Sequence, residues 1–172
     1  MSHGPTPVRR LASIAWLTAA AVSGVLAGAA PASAAGRAAC TMSTTSLVFG
    51  QYVPSRDGPT DFTATITVTC AATGTSSAAV EGTIGLIGSA GPGDRELAAG
   101  AHRLRYQLYL DAARTIPWGD GSGGTRTKAI SIIASPGHFA RQAHTVYGRI
   151  RGRQARTMVG NYSAQITAVL HY

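Results

Sequence analysis

Two cysteines, five histidines and seven acidic residues are what this chain of 172 residues offers to nucleophilic, acid–base or metal chemistry. Their spacing is poor for each of these. His102, His138, His144 and His171 form no HExxH or other compact ligand set, His138 and His144 are expected as surface residues, and no metal is expected. Asp57 and Asp61 flank a Gly-Pro turn, and Asp94 with Glu96 occupies another, where solvated turn residues are expected before an acid/base pair. Residues 119–124 spell GxGxxG, but a dinucleotide site needs that turn between a buried strand and a helix, and residues 125–133 read as loop and strand. The same run is no serine-protease loop, because an extra glycine separates Asp120 from Ser122, and no nucleophile elbow, because Asp120 stands where GxSxG requires its first glycine. No enzyme activity and no cofactor are expected.

The cysteines carry a different chemistry. Cys40 and Cys70 match no metal spacing, and in an oxidising compartment they are expected to join; the alternative is a pair of buried thiols. Residues 1–34 supply the reason to expect such a compartment. Arg9 and Arg10 form a basic start, residues 11–30 an apolar stretch, and Ala32-Ser33-Ala34 a small-residue cleavage site, which is the layout of a secretory signal. The stretch is rich in alanine and glycine and runs into Pro31, so a membrane anchor is the weaker reading. No transmembrane segment is expected after it. The domain organisation is then a signal peptide over 1–34 and one domain over 35–172, exported through the periplasm to the cell surface or beyond.

The formal charge is +8 from 15 basic and 7 acidic residues, and losing Arg9 and Arg10 with the signal brings it to about +6. Such a surface attracts polyanions, but the arginines are scattered over several segments and form no nucleic-acid tail, so no specific nucleic-acid partner is expected. Arg149, Arg151 and Arg153 fall on one strand face and Arg103 with Arg105 on another. If those strands are neighbours they make a basic patch, either a solvated face that discourages edge-to-edge aggregation or a surface for an anionic glycan.

The elements that must hold these residues are strands. From 62 to 70 apolar residues and threonines alternate without a break, which places Cys70 in phase with the inward set. Residues 103–110 alternate with Leu104, Tyr106, Leu108 and Leu110 inward, residues 145–151 with Val146, Gly148 and Ile150 inward, and residues 162–172 with Tyr162, Ala164, Ile166, Ala168 and Leu170 on one face. Shorter strands are expected over 46–49, 82–87 and 129–133, between turns rich in glycine and proline. About seven short strands predict an all-β sandwich, with a barrel as the alternative.

Several short motifs occur in a telling order: Cys40, then 47–52 with Phe49, Gly50 and Tyr52, the threonine-rich strand closing on Cys70, then Tyr106 and Tyr109, Trp118-Gly119-Asp120-Gly121, Tyr147-Gly148, and Gly160. In this order the mature chain resembles the spore coat protein U domain family, whose members include subunits of archaic chaperone-usher pili. The resemblance implies an immunoglobulin-like pilin sandwich that lacks its final strand. It further implies a groove beside the last strand, with Phe49, Tyr162, Ala164, Ile166, Ala168 and Leu170 as subunit-contact positions, filled by a periplasmic chaperone and then by a neighbouring pilus subunit at an outer-membrane usher. The implied role is a fibre subunit serving adhesion or biofilm formation. The alternative is a stand-alone secreted sandwich that binds an anionic glycan. One departure stands out: cleavage after Ala34 leaves only residues 35–39 before Cys40, a short extension without apolar alternation, so the chain is expected to accept a strand better than it donates one.

Overall fold

The computed structural model describes residues 36–46, 52–55, 57–88, 95–154 and 157–172. They form eight strands: β1 (Ala38–Thr44), β2 (Thr60–Ala72), β3 (Ala78–Gly88), β4 (Arg95–Ala99), β5 (His102–Tyr109), β6 (Lys128–Ala134), β7 (Phe139–Ile150) and β8 (Ile166–His171). One sheet has the order β1-β2-β7-β5-β4 and the other β6-β3-β8, with every pairing antiparallel. The expected sandwich is therefore present.

Alternation explains why these segments are strands. Inward residues of β2 (Ala64, Ile66, Val68, Cys70), β5 (Leu104, Tyr106, Leu108) and β7 (Val146, Ile150) meet Val80, Ile84 and Leu86 of β3 and Ile130 and Ile132 of β6 in a single core. The threonines of β2 face outward, where β-branched side chains suit the pleated surface. Trp118 is fully buried and its indole Nε1 donates to the Ile84 carbonyl at 2.9 Å, which satisfies the ring's one polar group inside the core.

The structure departs from expectation at five strands. β1 and β4 are additional strands, and β3 starts at Ala78, four residues before the expected 82. β7 starts at Phe139, six residues before the expected 145, and stops at Ile150, so Arg151 and Arg153 lie beyond it. β8 starts at Ile166 instead of residue 162, because Ser163 exchanges two hydrogen bonds with Ala98 of β4, at 2.8 and 3.1 Å, before the chain crosses to the other sheet. Residues 47–49 of the expected strand over 46–49 lie outside the described residues, and so does the expected signal segment 1–34.

Candidate functional site

The site begins with two edges. β8 pairs with β3 from Gly88↔Ile166 to Thr83↔His171, and among the described residues its other side has no strand neighbour. Among the described residues β1 pairs with β2 alone, and its other edge is unpaired along most of its length. Unpaired edges expose rows of N–H and C=O groups ready for another chain.

The two edges converge at one end and part at the other. Tyr172, just after β8, accepts a hydrogen bond on its hydroxyl from the Cys40 N–H of β1 at 3.2 Å. Toward Ile166 and Ser46 they separate around a groove of about 310 Å³. Its rim is Thr44, Thr45 and Ser46 at the end of β1, and its opposite lip is Ala164, Gln165, Ile166 and Ala168. Its floor is made of core residues from three strands of the large sheet, Ala64 and Ile66, Leu108, and Val146, with Leu86 of β3 beside them. The floor residues are themselves buried, Leu108 at 0 % and Ile66 at 3 % exposed, so the partly open apolar surface of the groove lies on the lip, at Ile166 and Ala168.

Cys40 and Cys70 face each other across β1 and β2 and are joined by a disulfide, with Cα atoms 4.1 Å apart. That separation belongs to a non-hydrogen-bonded pair, whose backbone groups point away from the partner strand. Arg37 O accepts from Thr73 N at 2.8 Å and Thr65 O accepts from Thr45 N at 2.9 Å, so odd-numbered residues bond toward β2 and even-numbered ones face the free edge.

Of the expected contact positions, Ala164, Ile166 and Ala168 line the groove. Tyr162, Ile166, Ala168 and Leu170 pack against the core, half-buried. Tyr162 is held by its hydroxyl, which donates to Met158 O at 2.8 Å and accepts from Met158 N at 3.1 Å. Phe49 and Gly50 lie outside the described residues. Sequence reasoning missed the β1 rim, because residues 44–46 are polar and their contribution is backbone.

The other motif positions hold the fold. Gly148 opposes Phe62 across β2 and β7, and a Cβ on Gly148 would land on the Phe62 ring. Tyr52 is buried, bridges to Gly160, and accepts from Gln154 N at 3.2 Å on its hydroxyl. Tyr106 is buried opposite Ile150 of β7. Tyr109 pairs with Tyr147 and bridges Pro117, which brings Trp118 under the sheet. Gly119 O accepts from Leu86 N at 3.0 Å, and the Asp120 carboxylate caps the turn by accepting from Ser122 N and Oγ at 2.9 and 2.7 Å. Gly121, Gly123 and Gly124 all have positive φ in that turn, a conformation with little cost for glycine, which accounts for the GxGxxG spelling without a nucleotide.

The expected basic face is largely neutralised. β5 and β7 are indeed neighbours. Yet Arg149 holds Asp61 in a fork at 2.7 and 2.8 Å, Arg114 stands 3.4 Å from the same carboxylate, Arg153 pairs with Asp57 at 2.8 Å, and Arg105 approaches Glu96 at 3.8 Å. The Arg149 fork holds the Asp61 carboxyl below its ordinary value, and Arg153 does the same for Asp57. Arg103 donates to the carbonyls of Gly100 and His102.

Inside the sandwich, three polar side chains were not anticipated. Arg95 and His144 are buried, and Gln142 faces inward on β7 with its Oε1 unpartnered. Burial, with Lys128 nearby, pushes the His144 imidazole below its usual value, so it stays neutral. Among the described residues no group of three His, Cys, Asp or Glu side chains could hold a metal ion, and no helix is long and apolar enough to cross a membrane.

Comparison with known proteins adds one match. A family model described as the Spore Coat Protein U domain matches residues 27–169, most of the chain, beginning inside the expected signal segment. No curated protein matches it.

Proposed function

The chain belongs to the Spore Coat Protein U domain family, a family of pilus- or fibre-type subunits, and from that premise we propose that it is an exported structural subunit whose sandwich is completed by a β-strand from another molecule. The observation that carries this reading is the groove of about 310 Å³ beside the unpaired edge of β8, floored by core residues of the opposite sheet. A strand laid there gains main-chain hydrogen bonds on an open edge, and its alternate side chains pack over the partly exposed Ile166 and Ala168 of the lip. In transit the strand belongs to a periplasmic chaperone; in the fibre, at the usher, it comes from the next subunit. Residues 1–34 act as the signal that sends the chain there, and 35–172 form the subunit, which serves adhesion or biofilm formation.

The amino-terminal side supports an acceptor more than a donor. Arg37 O already accepts from Thr73 N and from Thr73 Oγ1, at 2.8 and 3.1 Å, and Ala38 opens β1 of the chain's own sheet. With cleavage after Ala34, almost no free extension remains. Earlier cleavage would add alanine, glycine and proline, poor strand formers. A terminal or minor position in the fibre fits such a subunit.

Co-expression with candidate periplasmic chaperones followed by pull-down tests the reading. The subunit made alone is expected to aggregate or melt at low temperature and to be rescued by a chaperone or a strand peptide. A soluble, stable monomer that binds no chaperone and whose melting does not respond to any strand peptide would refute it.

A further inference from the structure

Arg95 opens β4, and its side chain is 2 % exposed. Nη2 donates to Leu86 O at 2.9 Å and Trp118 O at 3.1 Å, the Tyr106 hydroxyl and the Asp120 carboxylate act favourably on the guanidinium, and Nε and Nη1 have no close hydrogen-bond partner. Among the described residues no carboxylate forms a salt bridge with it. The nearby Glu96 leans instead toward Arg105 at 3.8 Å. A guanidinium removed from water with some of its donors unused is costly to bury, and the cost falls when an acceptor arrives.

There is room for one. A cavity of about 10 Å³, near the volume that admits a single water-sized group, lies among Gly88, Arg95, Glu96, Tyr106 and residues 164–166. Ala164, Gln165 and Ile166 also form the lip of the main groove, so the two spaces adjoin. Gly88 keeps the gap open: a Cβ there would stand 3.0 Å from Arg95 Nη1 and 3.0 Å from Ile166 Cδ1. The groove and the small cavity beside Arg95 therefore share one lip, residues 164–166.

We infer that Arg95 is a specificity determinant of the groove, and that the strand it accepts carries an aspartate or glutamate at the inward position nearest Ile166, whose carboxylate oxygen enters the small cavity and accepts from Arg95 Nη1. This rests on the strand-addition reading. It turns a general apolar cleft into one that selects among strands, since an acidic side chain buried anywhere else along the floor would lack a partner and be rejected.

The test is a set of synthetic peptides of alternating valine and threonine, each with glutamate replacing one inward valine, titrated against the mature subunit and its Arg95→Met variant. In the wild type, glutamate is expected to weaken binding at every inward position but one, and there to strengthen it on the order of tenfold relative to valine. Arg95→Met is expected to reverse that preference while still binding the all-valine peptide. Should Arg95→Met fail to fold, the wild-type scan decides alone. Tight binding of the all-valine peptide, with glutamate unfavourable at every position, overturns the role of Arg95 and leaves strand addition standing. Failure of all peptides, the all-valine one included, overturns strand addition and this inference together.

Discussion

Truncating Ile166 to alanine separates a groove residue from an ordinary core residue. Ile166 is half-buried, packed on the core from one side and bordering the groove on the other. Complete burial makes such a truncation cost about 2–5 kcal/mol, and the free subunit, in which about two thirds or more of the residue is already covered, loses most of that. The strand-filled state buries the remainder and loses the full amount. The difference, about 0.5–1.5 kcal/mol, must appear as weaker strand binding, about two- to tenfold. Leu104 supplies the control: it is 0 % exposed, absent from the groove lining, and equally buried in both states. Leu104→Ala should destabilise the subunit by about 2–5 kcal/mol while leaving strand affinity within about twofold. Peptide titration combined with melting curves, with and without saturating peptide, measures both quantities. Equal affinity losses for the two variants, or none for Ile166→Ala, would show that no strand seats against β8.

Three further outcomes follow from the packing. Replacing Cys40 and Cys70 with serine opens a link spanning 30 residues and should cost about 3–4 kcal/mol by loop-closure entropy, visible as a melting point lower by about 10 °C. Gly148→Val should be severely destabilising because its side chain would occupy the space of the Phe62 ring, and Phe62→Ala in the same chain should recover part of the loss in denaturant midpoint. Burial lowers the folded-state value of His144 below 6.5, so its stabilising contribution is complete above that pH and is lost as the unfolded chain takes up protons below it; His144→Gln should flatten the fall in denaturation midpoint between about pH 7 and 5.

Where side-chain pattern and burial coincide, the strands were legible: β2 and β5 follow the alternation of residues 62–70 and 103–110. The failures have physical causes. In the first half of β7 the pattern is inverted, with Phe139 73 % exposed while Gln142 and His144 point inward, so alternation becomes readable only from Thr145. β4 begins with a buried arginine, which a hydropathy reading turns outward. β1 has no strong alternation and is held by pairing with β2 and by the disulfide. The apolar lip of the groove could be picked out as alternate residues on the last strand. Its rim and the charged cavity beside it could not, because one is made of backbone direction and the other of an arginine whose burial depends on Leu86 and Trp118 carbonyls distant in sequence.

The Cys40–Cys70 bond also fixes phase. Sliding one β-strand past its neighbour by a single residue exchanges which backbone groups look outward and which side chains look inward, and a bare edge strand such as β1 is prone to such sliding. A covalent tie between directly opposed residues forbids it. Every oxidised copy of the chain therefore offers the groups of Ala38, Cys40, Met42 and Thr44 along the same rail, at the same height, to whatever comes to lie beside it. A repeating assembly needs that constancy, since a one-residue error at a single joint would rotate the side chains of everything docked beyond it.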